Sequence, residues 1–136
     1  MAGETELPVA AEADIVVARQ VARETARDLG FGMVDQARIA TAVSELTRNI
    51  VRYATDGKGR VVIRTLTGSA GGQGIEIVVA DDGPGMADVD QVMQDGFTSG
   101  SGLGMGLPGT KRLMDEMEIE SALGSGTTVT IRRWRR

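Results

Sequence analysis

Three groups of residues in this chain have types and spacings that chemistry can use. Glu45 and Asn49 stand four apart, so on a helix their side chains lie one turn from each other. A carboxylate and an amide so placed can supply a base and an oxygen ligand for Mg²⁺. The same pair also fits an ordinary solvated helix flank. Further on, the apolar run Ile77-Val78-Val79-Ala80 leads directly into Asp81-Asp82-Gly83-Pro84-Gly85. Then Gly100-Ser101-Gly102-Leu103-Gly104-Met105-Gly106-Leu107 puts glycine at every second position. A carboxylate at a strand end, a tight turn, a movable segment and a glycine-rich approach to a helix make a pocket for a phosphate-bearing ligand. Glycine is needed there because a Cβ would block the backbone's approach and forbid positive φ.

These groups need elements to hold them. Thr5 to Ala10 reads as a first strand. Glu12 to Leu29 reads as a packing helix, with Ile15, Ala18, Ala22, Thr25 and Leu29 at helical spacing and a stop at Gly30 and Gly32. Asp35 is the expected N-cap of a second helix running to about Thr55. Its stripe is Ile39, Val43, Leu46, Ile50 and Tyr53, which at about 100° per residue falls within a band of roughly 80°. Glu45 and Asn49 then sit roughly 100° from the stripe's centre, able to line a pocket beside the helix.

Gly57-Lys58-Gly59 is a turn, and Arg60 to Thr67 alternates as a half-buried strand. Gly68 to Gly74 is a hairpin connection, and Ile75 to Ala80 a central strand that delivers Asp81. Met86 to Gly100 has few core residues (Val89, Val92, Met93, Phe97) and is expected to act as a movable lid, with a short helix over Asp88 to Asp95. A third helix is expected from about Met105 to Met117, with Pro108 in its first turn, so that unpaired N–H groups follow the glycine run. Ile119 to Leu123 and Thr127 to Trp134 close the chain as a hairpin through Gly124-Ser125-Gly126. Trp134 is out of step with Val129 and Ile131.

The 136 residues are read as one domain, 1–136, large enough for a single core. Cysteine and histidine are both absent. That removes disulfides, thiolate or imidazole metal sites, a histidine-based triad and autophosphorylation on histidine. The formal net charge is −4, and four positive charges lie in the last five residues, so the body carries about −8. An acidic body argues against nucleic-acid binding. The apolar runs are too short for a membrane span and no export signal is evident, so a soluble, cytoplasmic protein is expected. The tail Arg132-Arg133-Trp134-Arg135-Arg136 either docks an acidic partner or anion, or is a solvated strand end.

In chain order the signals are Glu45-x-x-x-Asn49, Asp81-x-Gly83-x-Gly85, Phe97, Gly102-x-Gly104-x-Gly106-Leu107 and Gly124-x-Gly126-Thr127. Together they resemble the nucleotide-binding boxes of the GHKL superfamily of gyrase, Hsp90, sensor histidine kinases and MutL. The resemblance implies an α/β (α+β) two-layer sandwich, the Bergerat ATP-binding fold: a mixed, largely antiparallel sheet with three main helices on one face. The stretches Asp35-Gln36-Ala37-Arg38-Ile39, Glu45-Leu46-Thr47-Arg48-Asn49-Ile50 and Gly106-Leu107-Pro108-Gly109-Thr110-Lys111-Arg112-Leu113-Met114-Asp115-Glu116 narrow it to the RsbT-type switch kinases of partner-switching and stressosome pathways. That implies phosphorylation of Ser or Thr on a STAS-domain antagonist or scaffold. Release from it then allows activation of a PP2C-type phosphatase. A homodimer is also compatible with the family.

By position, the resemblance makes Glu45 the general base and Asn49 the Mg²⁺ ligand. Asp81 accepts the adenine amino proton, Gly83 and Gly85 let the backbone pass the base, and Thr127 supports it. Gly102, Gly104 and Gly106, with Leu107, form the phosphate-binding box. Tyr53 departs from the histidine that many sensor kinases carry after the Glu-Asn pair. Lys111 and Arg112 are either a cation for the γ-phosphate or solvated surface. Two other readings stand beside this one: an anti-sigma factor kinase that sequesters a sigma factor, and a non-catalytic interaction module that binds nucleotide. The presence of both Glu45 and Asn49 favours catalysis, since a binding-only domain needs no base.

Overall fold

Strict alternation along the strands decides which side of the sheet is covered. The computed structural model describes residues 4–53, 58–83, 106–121 and 126–135. In chain order these form β1 (Glu4–Val9), α1 (Glu12–Asp28), α2 (Met33–Tyr53), β2 (Gly59–Thr67), β3 (Gln73–Asp81), α3 (Gly106–Leu113), β4 (Glu116–Ser121) and β5 (Thr127–Trp134). The strands make one sheet in the order β1-β2-β3-β5-β4, and every described pairing is antiparallel. Central β3, expected from its apolar run, turns Ile75, Ile77 and Val79 into the core with Val61, Ile63, Val129 and Ile131. The helices supply the other layer through Ala18, Ala22 and Ala26 of α1, Ile39, Val43, Leu46 and Ile50 of α2, and Leu107 of α3. Each large aliphatic side chain so buried contributes roughly 1.5–3 kcal/mol.

Helix α1 closes as its glycine stop predicts. Phe31 N–H donates to Ala26 O and Gly30 N–H to Arg27 O, each at 3.0 Å, the paired bonds that satisfy terminal carbonyls. Two expectations need correction. Asp35 is not an N-cap: α2 begins at Met33, and Asp35 instead accepts a bond from Arg133 Nη2 at 2.8 Å. The third helix ends at Leu113, not Met117. Asp115 N–H donates to Arg132 O at 2.9 Å, and Glu116 and Met117 pair with Arg132 and Ile131, so the sheet claims the residues that helical spacing had assigned to α3. The expected lid and its short helix lie outside the described residues, as does the Tyr53 side chain.

The two sides of the sheet differ in chemistry. On the open side one cross-strand row reads Glu4, Arg64, Glu76, Arg132, Glu116 from edge to edge. Its ion pairs measure 2.7, 3.1, 2.8 and 3.2 Å in that order. Arg132 also reaches Glu118 at 3.2 Å, and its guanidinium pKa is raised, chiefly by its hydrogen bond to Glu76. The Glu116 carboxyl is held below its usual range, first by the indole N–H of Trp134. Trp134 shares this side because residues 132 and 134 have the same parity, and its ring lies over Gly74. On the helix side Arg133 is buried, donating to Leu113 O at 3.1 Å and standing 3.7 Å from Asp115. Arg132 and Arg133 are therefore part of the fold's own bonding, not a basic tail offered to a partner.

Candidate functional site

The site is built at one end of the sheet, where a cross-strand row reads Gly59, Asp81, Thr127, Ser121. Asp81 has the parity of Ile75, Ile77 and Val79, so it belongs to the helix-covered side. Its Oδ1 accepts the Gly83 N–H at 2.8 Å, which orients the carboxylate within the turn. Among the described residues Oδ2 has no hydrogen bond and is free to accept one. Ser121 Oγ donates to Gly126 O at 3.0 Å, so its 2.9 Å contact with Thr127 Oγ1 uses the threonine's proton. Gly126 has φ +75, and a Cβ there would collide with the Asp81 carbonyl; only glycine closes this strand end without strain.

Helix α2 is seated on the same end. A Cβ at Gly59 would lie 2.8 Å from Ile50 Cδ1 and 2.5 Å from Ala80 O, so the bare backbone of Gly59 is what lets Ile50 down onto the sheet. Asn49 precedes Ile50 and is half-buried; Glu45 lies one turn earlier. Their helix segment is thus fixed against the strand end carrying Asp81 and Thr127. Glu45 is 17% exposed, and its Oε1 accepts a bond from Arg48 Nη1 at 2.9 Å. The pocket beside the helix lies between α2 and α1: a cavity of about 440 Å³ lined in part by Arg19, Arg23, Thr41, Ser44, Glu45 and Arg48. Asn49 is not among its lining residues.

At the third corner α3 starts at Gly106, and Leu107 is buried in the core next to α2. The first N–H groups of this helix have no partner within it, which suits an anionic ligand. Lys111 and Arg112 fall in its last turn, away from that end. Gly85, Gly102 and Gly104 lie outside the described residues; Gly83 is buried beside Asp81. Among the described residues no group of three His, Cys, Asp or Glu side chains could hold a metal ion. A donor set with one amide oxygen suits Mg²⁺, which keeps several waters and takes its remaining ligands from substrate phosphates.

Arg48, Ser121 and the pair Arg19 and Arg23 were not singled out by the sequence reading. For Arg48 a signal existed in its spacing of three from Glu45. For Ser121 the signal appears only once the β4–β5 register is known.

Residues 8–133 match the family described as the histidine kinase-like ATPase domain. The chain is 52% identical over 125 residues to the serine/threonine-protein kinase RsbT of Bacillus subtilis, covering 92% of each chain. It is 34% identical over 120 residues to the anti-sigma F factor of a Thermoanaerobacter species, covering 86% of this chain and 82% of that one. Among solved structures, the RsbU and RsbW domains of a Mycobacterium tuberculosis protein superpose with a TM-score of 0.66 at 24% identity. That match takes in 100% of this chain and 33% of the other, and supports the fold alone.

Proposed function

The chain belongs to the histidine kinase-like ATPase domain family and to its RsbT-type serine/threonine kinases, and from that premise we propose that it phosphorylates a STAS-domain partner in a partner-switching pathway. Residues 1–136 act as one catalytic domain. The observation that carries the reading is the seating of Ile50 on Gly59, which holds Glu45 and Asn49 against the strand end of Asp81.

The roles follow from the chemistry of each group. Asp81 accepts a hydrogen bond from the adenine amino group through the oxygen that Gly83 leaves free, and Thr127 stands beside it in register. Asn49 would give an amide oxygen to Mg²⁺, an ion that would supply charge neutralisation at the phosphates. Gly102, Gly104 and Gly106 bring backbone N–H groups to those phosphates, as the helix start at Leu107 does. Glu45 keeps one carboxylate oxygen on Arg48 and receives the acceptor hydroxyl's proton on the other. The hydroxyl oxygen bonds the γ-phosphorus as the bond to ADP breaks. Such a transfer needs positioning and charge neutralisation more than covalent help. Once released from the phosphorylated partner, the kinase activates a PP2C-type phosphatase in the cytoplasm.

The test is radiolabelled phosphoryl transfer to a candidate STAS domain, with calorimetry of nucleotide binding. Glu45→Ala is expected to bind Mg²⁺-ATP normally and to lose about 10²-fold or more in transfer rate. Asn49→Ala weakens Mg²⁺-ATP binding as well, and Asp81→Asn loses adenine selectivity by presenting a donor to a donor. Wild-type transfer by Glu45→Ala would remove the base assignment. The 34% identity to an anti-sigma F factor supports one second reading, sequestration of a sigma factor. ATP and sigma-factor binding by the wild type, with no transfer to any STAS partner, would put that reading first.

A further inference from the structure

One buried guanidinium joins the two helices on which the phosphate chemistry depends. Arg133 projects from β5 to the helix-covered side and is buried there. Its Nη2 donates to Asp35 Oδ1 at 2.8 Å, and Asp35 stands in the first turn of α2. Its Nη1 donates to Leu113 O at 3.1 Å, one of the last carbonyls of α3, which have no partner within the helix. Asp115, just past that end, lies 3.7 Å from Nη1 and is itself anchored on the Trp134 N–H at 2.8 Å. A carboxylate at the start of α2 and a cation at the finish of α3 are each favoured by the backbone dipoles, and one ion pair supplies both. Among the described residues Arg133 Nε is buried without a hydrogen bond, so the guanidinium is committed through its outer nitrogens. The opposite ends of the two helices are the ones the phosphate chemistry uses. Asn49 lies about 21 Å along α2 from Asp35, and Gly106 about 10 Å along α3 from Leu113. A helix as short as α3, packed chiefly on α2, takes its tilt from how its ends are held.

We propose that Arg133 is a positioning residue: it clamps α2 to α3 at one end and so sets the gap in which Asn49 and the start of α3 meet a triphosphate. The proposal rests on the kinase reading above for the identity of that ligand. A buried guanidinium with its carboxylates costs desolvation and adds little net stability over an apolar filling, but it holds one geometry. The planar fork of arginine gives both helix contacts fixed directions, which a flexible point charge does not. Phosphoryl transfer is sensitive to such spacing, since a displacement of about 1 Å remote from the chemistry can cost about 10²-fold in rate. Asp81 and Thr127 are carried by the sheet strands β3 and β5, outside the clamped pair of helices. The clamp therefore governs the phosphates and leaves the base alone.

The test combines one distance with a pair of affinities. The chain has no cysteine, so Arg52→Cys/Lys111→Cys, at exposed positions of α2 and α3, takes two spin labels for double electron–electron resonance without nucleotide. A narrow distance distribution is expected, broadened by Asp35→Asn and broadened further by Arg133→Gln. In the unlabelled protein, calorimetry compares Mg²⁺-ATP with adenosine. Arg133→Gln is expected to weaken Mg²⁺-ATP by about tenfold, the worth of one charge-assisted hydrogen bond, and adenosine by less than about twofold. The gentler Asp35→Asn, which keeps the buried arginine and its carbonyl contact, shifts the same ratio by about threefold. Arg133→Lys, which keeps the charge, recovers part of the loss seen in Arg133→Gln. General loosening of the fold would weaken both ligands alike and would overturn the positioning role, as would unchanged ATP affinity in the variants. A distance distribution unchanged by both variants, or a parent as broad as they are, would overturn the clamp. Failure of the wild type to bind ATP would sink the kinase reading and leave the distance measurement to decide the clamp.

Discussion

The arginines of the sheet and the arginines of the α1/α2 cleft are the same side chain under opposite conditions. Arg64 and Arg132 sit in a row where each neighbouring strand presents a glutamate in register. Arg133 is buried, with Asp35 and a helix-end carbonyl to hold it. Their charges are consumed by the fold. In the cleft three guanidiniums face one carboxylate, and among the described residues only Arg48 is paired with it. The number of arginines on a surface therefore says little; the register of carboxylates opposite them says which are free to bind.

Three substitutions test that contrast, beginning with the deepest. Arg133→Met should cost about 3 kcal/mol, because it leaves the Asp35 and Asp115 carboxylates and the Leu113 carbonyl facing an apolar side chain; a urea denaturation midpoint reads it. Arg132→Gln should cost about 1–2 kcal/mol in the same assay, since its pairs with Glu116 and Glu118 are solvent-screened and only that with Glu76 is well shielded. Arg19→Gln/Arg23→Gln should shift stability by no more than about 0.5 kcal/mol. A loss from that double variant as large as the one at Arg132 would mean the cleft arginines are structural, and the contrast would fail.

Where two-residue alternation or a helical stripe dominates, the sequence was enough. β1, β2, β3 and β5 fell within two residues of their predicted ends, while β4 starts three residues before its predicted Ile119; Ile39, Val43, Leu46 and Ile50 are buried as the stripe of α2 required. The position of Asp81 at the end of β3 was legible because the apolar run Ile77-Val78-Val79-Ala80 meets turn residues there. The misreadings share one cause, a partner far along the chain. Asp35 has the composition of a cap, but Arg133, 98 residues away, takes its carboxylate. Met117 continues a helical spacing, yet Ile131 across the β4–β5 pair fixes it as strand. Arg19 and Arg23 drew no reading from the sequence, because only the position of α1 against α2 puts them in one cleft with Glu45. Gly59 read as a turn glycine because nothing local announces that Ile50 will rest on it.

The chain has a single tryptophan, and its position decides what light can report. The indole of Trp134 lies over Gly74 with its N–H on Glu116, near the start of β3, while Asp81 ends that strand. Seven residues separate the two points, roughly 24 Å of extended chain. Emission from Trp134 is therefore a gauge of whether β3, β4 and β5 are zipped together and is silent on adenine. A fluorescence melt of this protein measures the sheet, and nucleotide occupancy has to be followed with a dye on the ligand.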